Sequence, residues 1–377
     1  MAIIEVPAEA APSGARIDKL FRIMVRQEAS DLHLKQGRPP ILRIKGMLQP
    51  LKSDPLTDAQ IAKLVSELFS EDQAAQFKEQ GSLDLAHEFD DGWRVRINVY
   101  HQRGHLSVAC RLVQKEIPTY EQLHLPPQIS KIPEIHQGLV IITGATGTGK
   151  STTLAAMVQQ INENRRCHIL TVEDPIEYSY TDEKAYINQR EIGIDVPDWL
   201  SALKFAMRED PDVILIGEMR DPETFQAGLS AAETGHLVFG SMHAADCRQV
   251  FGRIMEMFPT EKHSMIRQSL AANLRAILAQ LLIPAAKEGV HMVPAVEIMF
   301  ANSFVRALIM RGEDDKISDV IQGGGQEGMQ DITQALADLV QKDWVLRRVA
   351  LDYAPNKDRL QMVLRGISTG GGGQIIG

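Results

Sequence analysis

The apolar run Leu139-Val140-Ile141-Ile142 is followed by Gly144-Ala145-Thr146-Gly147-Thr148-Gly149-Lys150-Ser151 and then by a helix-like stretch from Thr152 to Ile161. No other feature constrains the chain as strongly. A short, continuous apolar run bounded in this way reads as a buried strand, and G-x-x-x-x-G-K-[ST] between such a strand and a helix is a phosphate-binding turn. Its glycines let backbone N–H groups turn inward and approach phosphate oxygens, while the helix adds its positive N-terminal end. A triphosphate fits there, which makes Gly144, Thr146, Gly147, Thr148, Gly149, Lys150, Ser151 and Thr152 the candidate ATP contacts. Lys150 would sit on the β- and γ-phosphates. The Ser151 hydroxyl would complete the shell of a Mg²⁺ ion that otherwise keeps its waters.

Further apolar runs at 168–172, 213–216 and 237–240 alternate with helical stretches. That alternation predicts an α/β fold with a mostly parallel sheet covered on both faces, and such sheets bind ligands at the carboxyl ends of their strands. From Lys262 onward the pattern reads as mainly helical, with Ile266, Leu270, Leu274, Ile277, Leu278 and Leu281 on one apolar face. Residues 138–355 are therefore expected to form the nucleotide-binding core with a helical C-terminal part. Residues 356–377, which include Gly370 to Gly373, read as a flexible tail.

The region ahead of the core has a different texture. Residues 1–14 look like a loose arm, and residues 15–116 like a smaller antiparallel α+β domain. Within it the spacing predicts a helix from Ile17 to near Ser30, strands at 31–34 and 41–44, and a capped helix from Thr57 to about Phe69. Strands are expected at 83–89, 93–100 and 105–112. Pro118, Pro126, Pro127 and Pro133 interrupt any regular pattern over 117–137, which reads as a linker.

Net charge and cysteine usage exclude several functions. A formal charge of −9 gives no general basic field, so affinity driven by counterion release along a nucleic acid is not expected. Cys110, Cys167 and Cys247 are isolated, which fits a reducing compartment and excludes a four-cysteine zinc site. The N-terminus has no basic segment ahead of a long apolar one, and no run is long enough to span a bilayer, so a cytoplasmic protein is expected.

Acidic and histidine residues cluster around the expected phosphate site. Val213-Ile214-Leu215-Ile216 ends in Gly217-Glu218, with glycine where a Mg²⁺-holding aspartate usually stands; Glu218 is the candidate to orient and deprotonate the attacking water. Glu173-Asp174-Pro175-Ile176-Glu177 crowds its carboxylates together, which favours a cation such as Mg²⁺ among them, with Glu173 and Glu177 as candidate ligands and a solvated loop as the alternative. His236 and His243 are candidates to report whether a γ-phosphate is present. Arg220 reads as a structural partner of the neighbouring carboxylates. Arg94, Arg96, Arg103 and Arg111 lie on strands or turns before the linker, either as a solvated basic face or as a source of a phosphate contact.

Together these motifs resemble those of the secretion-type ATPase superfamily and, more narrowly, the PilT family of type IV pilus retraction motors. The likeness covers residues 16–350. It rests on Gly144 to Thr153 as Walker A, Ile169 to Glu177 as the aspartate box, Val213 to Asp221 as the atypical Walker B, and Thr234-Gly235-His236 to His243 as the histidine box. The resemblance implies a PAS-like N-terminal domain on a RecA-like core, a homo-hexameric ring with ATP between subunits, and Arg96 and Arg111 reaching a nucleotide at a subunit boundary. It also implies a peripheral place at the inner membrane on a pilus platform protein, beside a possible paralogous ATPase. Phe304-Val305-Arg306-Ala307-Leu308-Ile309-Met310-Arg311 matches the family's A-I-R-N-L-I-R-E signature only in part, whereas Gly328-Met329-Gln330 matches. The resulting expectation is a hexameric, ATP-hydrolysing retraction motor. Its rivals are a pilus or type II secretion assembly ATPase, an accessory retraction ATPase, a scaffold that binds nucleotide without splitting it, and, remotely, a nucleic-acid translocase.

Overall fold

The computed structural model describes residues 17–90 and 92–366. The arm expected at 1–14 and the tail beyond 366 lie outside them. The chain divides into two units, one running to Glu116 and taking in Ile176–Ser179, the other holding Ile117–Pro175 and the chain from Tyr180 onward.

In the first unit, residues alternate between the two sides of the strands. The elements are α1 (Asp18–Arg26), β1 (Ala29–Lys35), β2 (Ile41–Ile44), β3 (Met47–Pro50), α2 (Asp58–Ser66), α3 (Glu71–Gln80), β4 (Ser82–Phe89), β5 (Trp93–Gln102) and β6 (His105–Leu112). Among the described residues the strands form an antiparallel sheet in the order β3-β2-β1-β6-β5-β4. Val95, Ile97 and Val99 of β5 are buried in a core with Phe21, Met24, Ile61 and Phe77 from the three helices. Arg94 and Arg96 take the other side of the strand. The helix expected to run to Phe69 stops at Ser66, and Ser70 starts α3 with a second capping box. With Phe77 as its one buried residue, α3 leaves almost no periodic signal in the sequence. Gln114 N–H donates to the Glu177 carbonyl at 3.3 Å and the Gln114 carbonyl accepts from Ser179 N–H at 2.8 Å, which ties residues 176–179 into this unit.

The second unit comprises β7 (Gly138–Thr143), α4 (Lys150–Asn164), β8 (His168–Glu173), β9 (Tyr186–Glu191), α5 (Trp199–Ala206), β10 (Val213–Ile216), α6 (Pro222–Glu233), β11 (Leu237–Met242), α7 (Cys247–Met257), α8 (His263–Asn273), β12 (Leu274–Pro284) and β13 (Met292–Phe300). It ends in α9 (Ser303–Arg311), α10 (Ile317–Gly323), α11 (Ile332–Gln341), α12 (Arg347–Tyr353) and α13 (Lys357–Leu364). Among the described residues its sheet has the order β13-β12-β7-β11-β10-β8-β9, parallel except where β13 joins β12. β7, β10 and β11 are buried along their whole length because separate apolar cores cover the two faces.

The structure corrects the sequence reading in three places. Leu274, Ile277, Leu278 and Leu281 belong to strand β12 beside β7, not to a helix. A run that is apolar at nearly every position satisfies both periods, and only its burial between two strands decides. The proline-rich stretch expected as a linker sends Ile129 and Ile132, both fully buried, into the second unit's core. The tail expected from residue 356 begins instead with α13, whose Leu360 is buried against α11. No helix among the described residues is long and apolar enough to cross a membrane.

Candidate functional site

The phosphate loop leaves the carboxyl end of β7, and α4 begins at Lys150 with Gly149 as its N-cap residue in a left-handed conformation (φ 84°). The Lys150 ammonium donates to the carbonyls of Gly144 (2.9 Å) and Ala145 (3.1 Å), while Thr148 Oγ1 donates to the Ala145 carbonyl (2.9 Å). Burial pulls the Lys150 ammonium below its ordinary pKa, and the negative charge of Glu218 offsets part of that shift. A basic side chain held this way over a turn of inward-facing amides is a ready acceptor of phosphate charge.

Glu218 stands just past the end of β10. Three contacts fix the turn that carries it: Gly217 N–H donates to the Val172 carbonyl (2.8 Å), Ser241 Oγ donates to the Gly217 carbonyl (2.5 Å), and Met219 N–H donates to the Ser241 carbonyl (2.8 Å). Met219 packs where a Cβ on Gly240 would lie 2.2 Å from its Cε. The glycine before Glu218 has a steric reason as well: a Cβ there would stand 3.3 Å from Glu173 Cα, the Val172 carbonyl oxygen and Trp199 Cη2. A side chain at that position would need these neighbours to yield by a few tenths of an ångström.

His243 Nε2 lies 3.2 Å from Glu218 Oε1, and Arg220 Nη1 lies 4.0 Å from Glu218 Oε2. The segment after His243 is anchored through Ala244, whose N–H donates to Thr143 Oγ1 (2.6 Å) and whose carbonyl accepts from the same hydroxyl (3.0 Å). A cleft of about 520 Å³ opens beside Glu218 and His243, walled by Met219, Met242 and Met257. Lys150, Glu218 and His243 thus come from β7, β10 and β11 to one edge of the sheet, where the helix N-termini also point. The anchoring residues Thr143, Ser241 and Gly240 were not singled out in the sequence. Their signal there is faint, a small or hydroxylated residue in each case within or at the end of an apolar strand.

Other expected site residues are not brought beside the phosphate loop. His236 precedes the first residue of β11, next to the start of β7, where its carbonyl accepts from Gly138 N–H (2.9 Å). Six residue steps along β11 separate it from Met242 at the strand's far end, about 20 Å at ~3.3 Å per residue. Its Nδ1 is bonded instead to the Ala231 carbonyl at the end of α6 (2.9 Å). Glu173 ends β8 at the same carboxyl edge, next to Gly217 on β10, but three strands from β7, roughly 14 Å at ~4.8 Å per strand. Its buried carboxylate accepts from Thr171 Oγ1 (2.7 Å) and Gln189 Nε2 (3.2 Å).

Glu177, Arg96 and Arg111 belong to the first unit, so the nucleotide-binding unit by itself does not contain them. There Arg96 and Arg111 sit directly opposite each other on β5 and β6, and Asp31 of β1 is opposite Arg111 on its other side. Asp31 Oδ1 accepts from Arg111 Nε at 2.8 Å while Asp31 Oδ2 stands 3.5 Å from Arg43 Nε. The buried carboxylate relieves the repulsion of like charges placed across strands. The Arg111 side chain remains 67% exposed.

The chain matches the family model for the type II/IV secretion system protein over residues 8–303. It is 38% identical to the type IV pilus retraction ATPase PilT of Pseudomonas aeruginosa, over 90% of this chain and 98% of that protein. It is 35% identical to the type IV pilus ATPase PilU of the same organism, over 92% of this chain and 91% of that one. The crystal structure of the pilus retraction motor PilT with bound ADP superposes with a TM-score of 0.83 at 36% identity, covering 91% of this chain and 98% of that one. A phosphate loop facing Glu218 and His243, on a sheet of this order and with this likeness over nearly the whole length, establishes that the chain belongs to the type II/IV secretion ATPases and, within them, to the PilT family of pilus retraction ATPases.

Proposed function

We propose that the chain works as a homo-hexameric ring that splits ATP to power pilus retraction, with Glu218 activating the water. The observation that carries this reading is the meeting of Glu218, His243 and the Lys150 loop at one sheet edge, each fixed by a neighbouring strand. Mg²⁺ would be held by the phosphates, Ser151 and water. Two features support the fit: Ser151 is exposed at the start of α4, and no cluster of three or more His, Cys, Asp or Glu among the described residues could hold a metal without such help. In the assembled ring Glu177 would support the Mg²⁺ shell, and Arg96 and Arg111 would reach a neighbouring subunit's nucleotide. The product of each cycle would be a rigid-body movement passed to a platform protein at the inner membrane. The test is Glu218→Gln, which keeps size and hydrogen bonding but cannot take a proton; retained ATP binding with lost turnover supports the role, and near-normal turnover removes it.

A second reading, an accessory retraction ATPase that assists a paralogous motor, draws on α9, where Met310 is 60% exposed at a position at which the retraction signature has a basic residue. Deleting the gene separates the two. Excess surface pili without movement supports a self-sufficient retraction motor, and normal pilus numbers with weakened movement support the accessory role.

A further inference from the structure

Gln280 is buried in β12 at 3% exposure, charge-neutral, and absent from the phosphate-binding signature, yet it is bonded directly to the phosphate loop. Its Nε2 donates to the Thr148 carbonyl at 2.7 Å, and its Oε1 accepts from Thr153 Oγ1, one turn into α4, at 2.9 Å. A carbonyl can only accept, so the amide orientation is fixed by its partners. A Cβ on Gly149 would lie 2.9 Å from Gln280 Nε2, and one on Gly144 would lie 2.5 Å from the Gln280 carbonyl oxygen. Two of the loop's glycines therefore leave room for this one side chain and its backbone.

The consequence follows from peptide geometry. The C=O of Thr148 and the N–H of Gly149 belong to one planar trans unit and point in opposite directions. A donor that holds the Thr148 carbonyl against β12 thereby turns the Gly149 N–H to the open side of the loop, where the phosphates bind. We infer that Gln280 is a positioning residue for nucleotide binding: it sets the direction of the Gly149 N–H from outside the motif, and Thr153 locks the amide that does so. The inference rests on the phosphate-loop reading of residues 144–151. Because that N–H would face phosphate oxygens present in ATP and ADP alike, its loss is expected to weaken both nucleotides more than it slows chemistry.

The test uses the full-length chain, with ADP affinity measured by a fluorescent nucleotide, ATP turnover, and a thermal melt without nucleotide. Gln280→Met keeps the bulk and removes the donor; it is expected to weaken ADP binding and raise KM for ATP about tenfold, with kcat within about threefold. Gln280→Glu sets a carboxylate against the Thr148 carbonyl and is expected to cost about a hundredfold in both. Thr153→Val frees the amide without removing its donor, and an increase in KM of about threefold is expected. Folded Gln280 variants with unchanged KM and ADP affinity, or with a fall in kcat at unchanged KM, overturn the assignment. If the Gln280 variants do not melt cooperatively, an unchanged KM in Thr153→Val overturns it. Failure of the wild-type chain to bind ADP would instead sink the phosphate-loop reading underneath.

Discussion

The two histidines that flank β11 lie at opposite edges of the same sheet and do different work. His243 follows the carboxyl end of the strand, 47% exposed, 3.2 Å from the Glu218 carboxylate. His236 precedes the amino end and closes the last turn of α6 by bonding the Ala231 carbonyl. The cause is the direction of the chain. In a parallel sheet every helix that leaves a strand starts at the carboxyl edge, so positive helix ends and outward-facing amides collect there, while helix C-termini with spare carbonyls collect at the amino edge. The same imidazole meets a carboxylate at one edge and a helix carbonyl at the other.

The largest effect that tests this division is at the carboxyl edge. Glu218→Gln should lower ATP turnover about a thousandfold at unchanged ATP affinity, measured by steady-state kinetics and equilibrium binding. A drop in affinity alone would mean that this edge binds phosphates without Glu218 acting on water.

Next comes a buried carboxylate behind that edge. Glu297 Oε2 accepts from Cys247 N–H at the start of α7 (3.0 Å), yet burial pushes its pKa up to about 7. A folded-state pKa above the unfolded value means the folded chain holds the proton more tightly. The associated stability is complete below about pH 4, is lost as pH rises toward 7, and changes no further above it. Glu297→Gln should thus stabilise the protein by about 3 kcal/mol at pH 8 and hardly at all at pH 4, read from urea unfolding at both values. Equal effects at both would show that the carboxyl ionises over the same pH range folded and unfolded, and that burial does not raise its pKa.

His243→Ala should slow turnover about tenfold, since Glu218 loses a partner but not its anchored turn. The smallest effect belongs to the amino edge: His236→Ala should cost about 1 kcal/mol in unfolding free energy and leave turnover unchanged. A tenfold loss of activity from His236→Ala with unchanged stability would break the contrast between the two edges.

Much of this arrangement is written locally. The phosphate loop, the strand before it and the helix after it share one stretch of chain, so glycine spacing and apolar continuity were enough to locate them. Glu218 was legible for a similar reason, as an acid that directly follows a short buried strand. Capping boxes at Thr57 and Ser70 are local too, although only the first stands ahead of a clear periodic apolar pattern, because α3 buries so little beyond Phe77. His236 misled for the converse reason. Closeness in sequence to His243 suggested closeness in space, and the six residues of β11 place the two at opposite edges of the sheet.

The sequence alone determined that the chain has an α/β nucleotide-binding core, where its glycine-rich turn lies and which carboxylate directly follows a buried strand, because each depends on neighbouring residues and on backbone conformations that glycine makes accessible. Only the tertiary structure decided that Leu274–Pro284 is a strand, that Gln280 from that strand reaches Thr148, and that Thr143 secures the segment after His243. Those contacts join residues more than a hundred positions apart, and nothing in the local pattern distinguishes a buried glutamine or threonine that will find such a partner from one that will not.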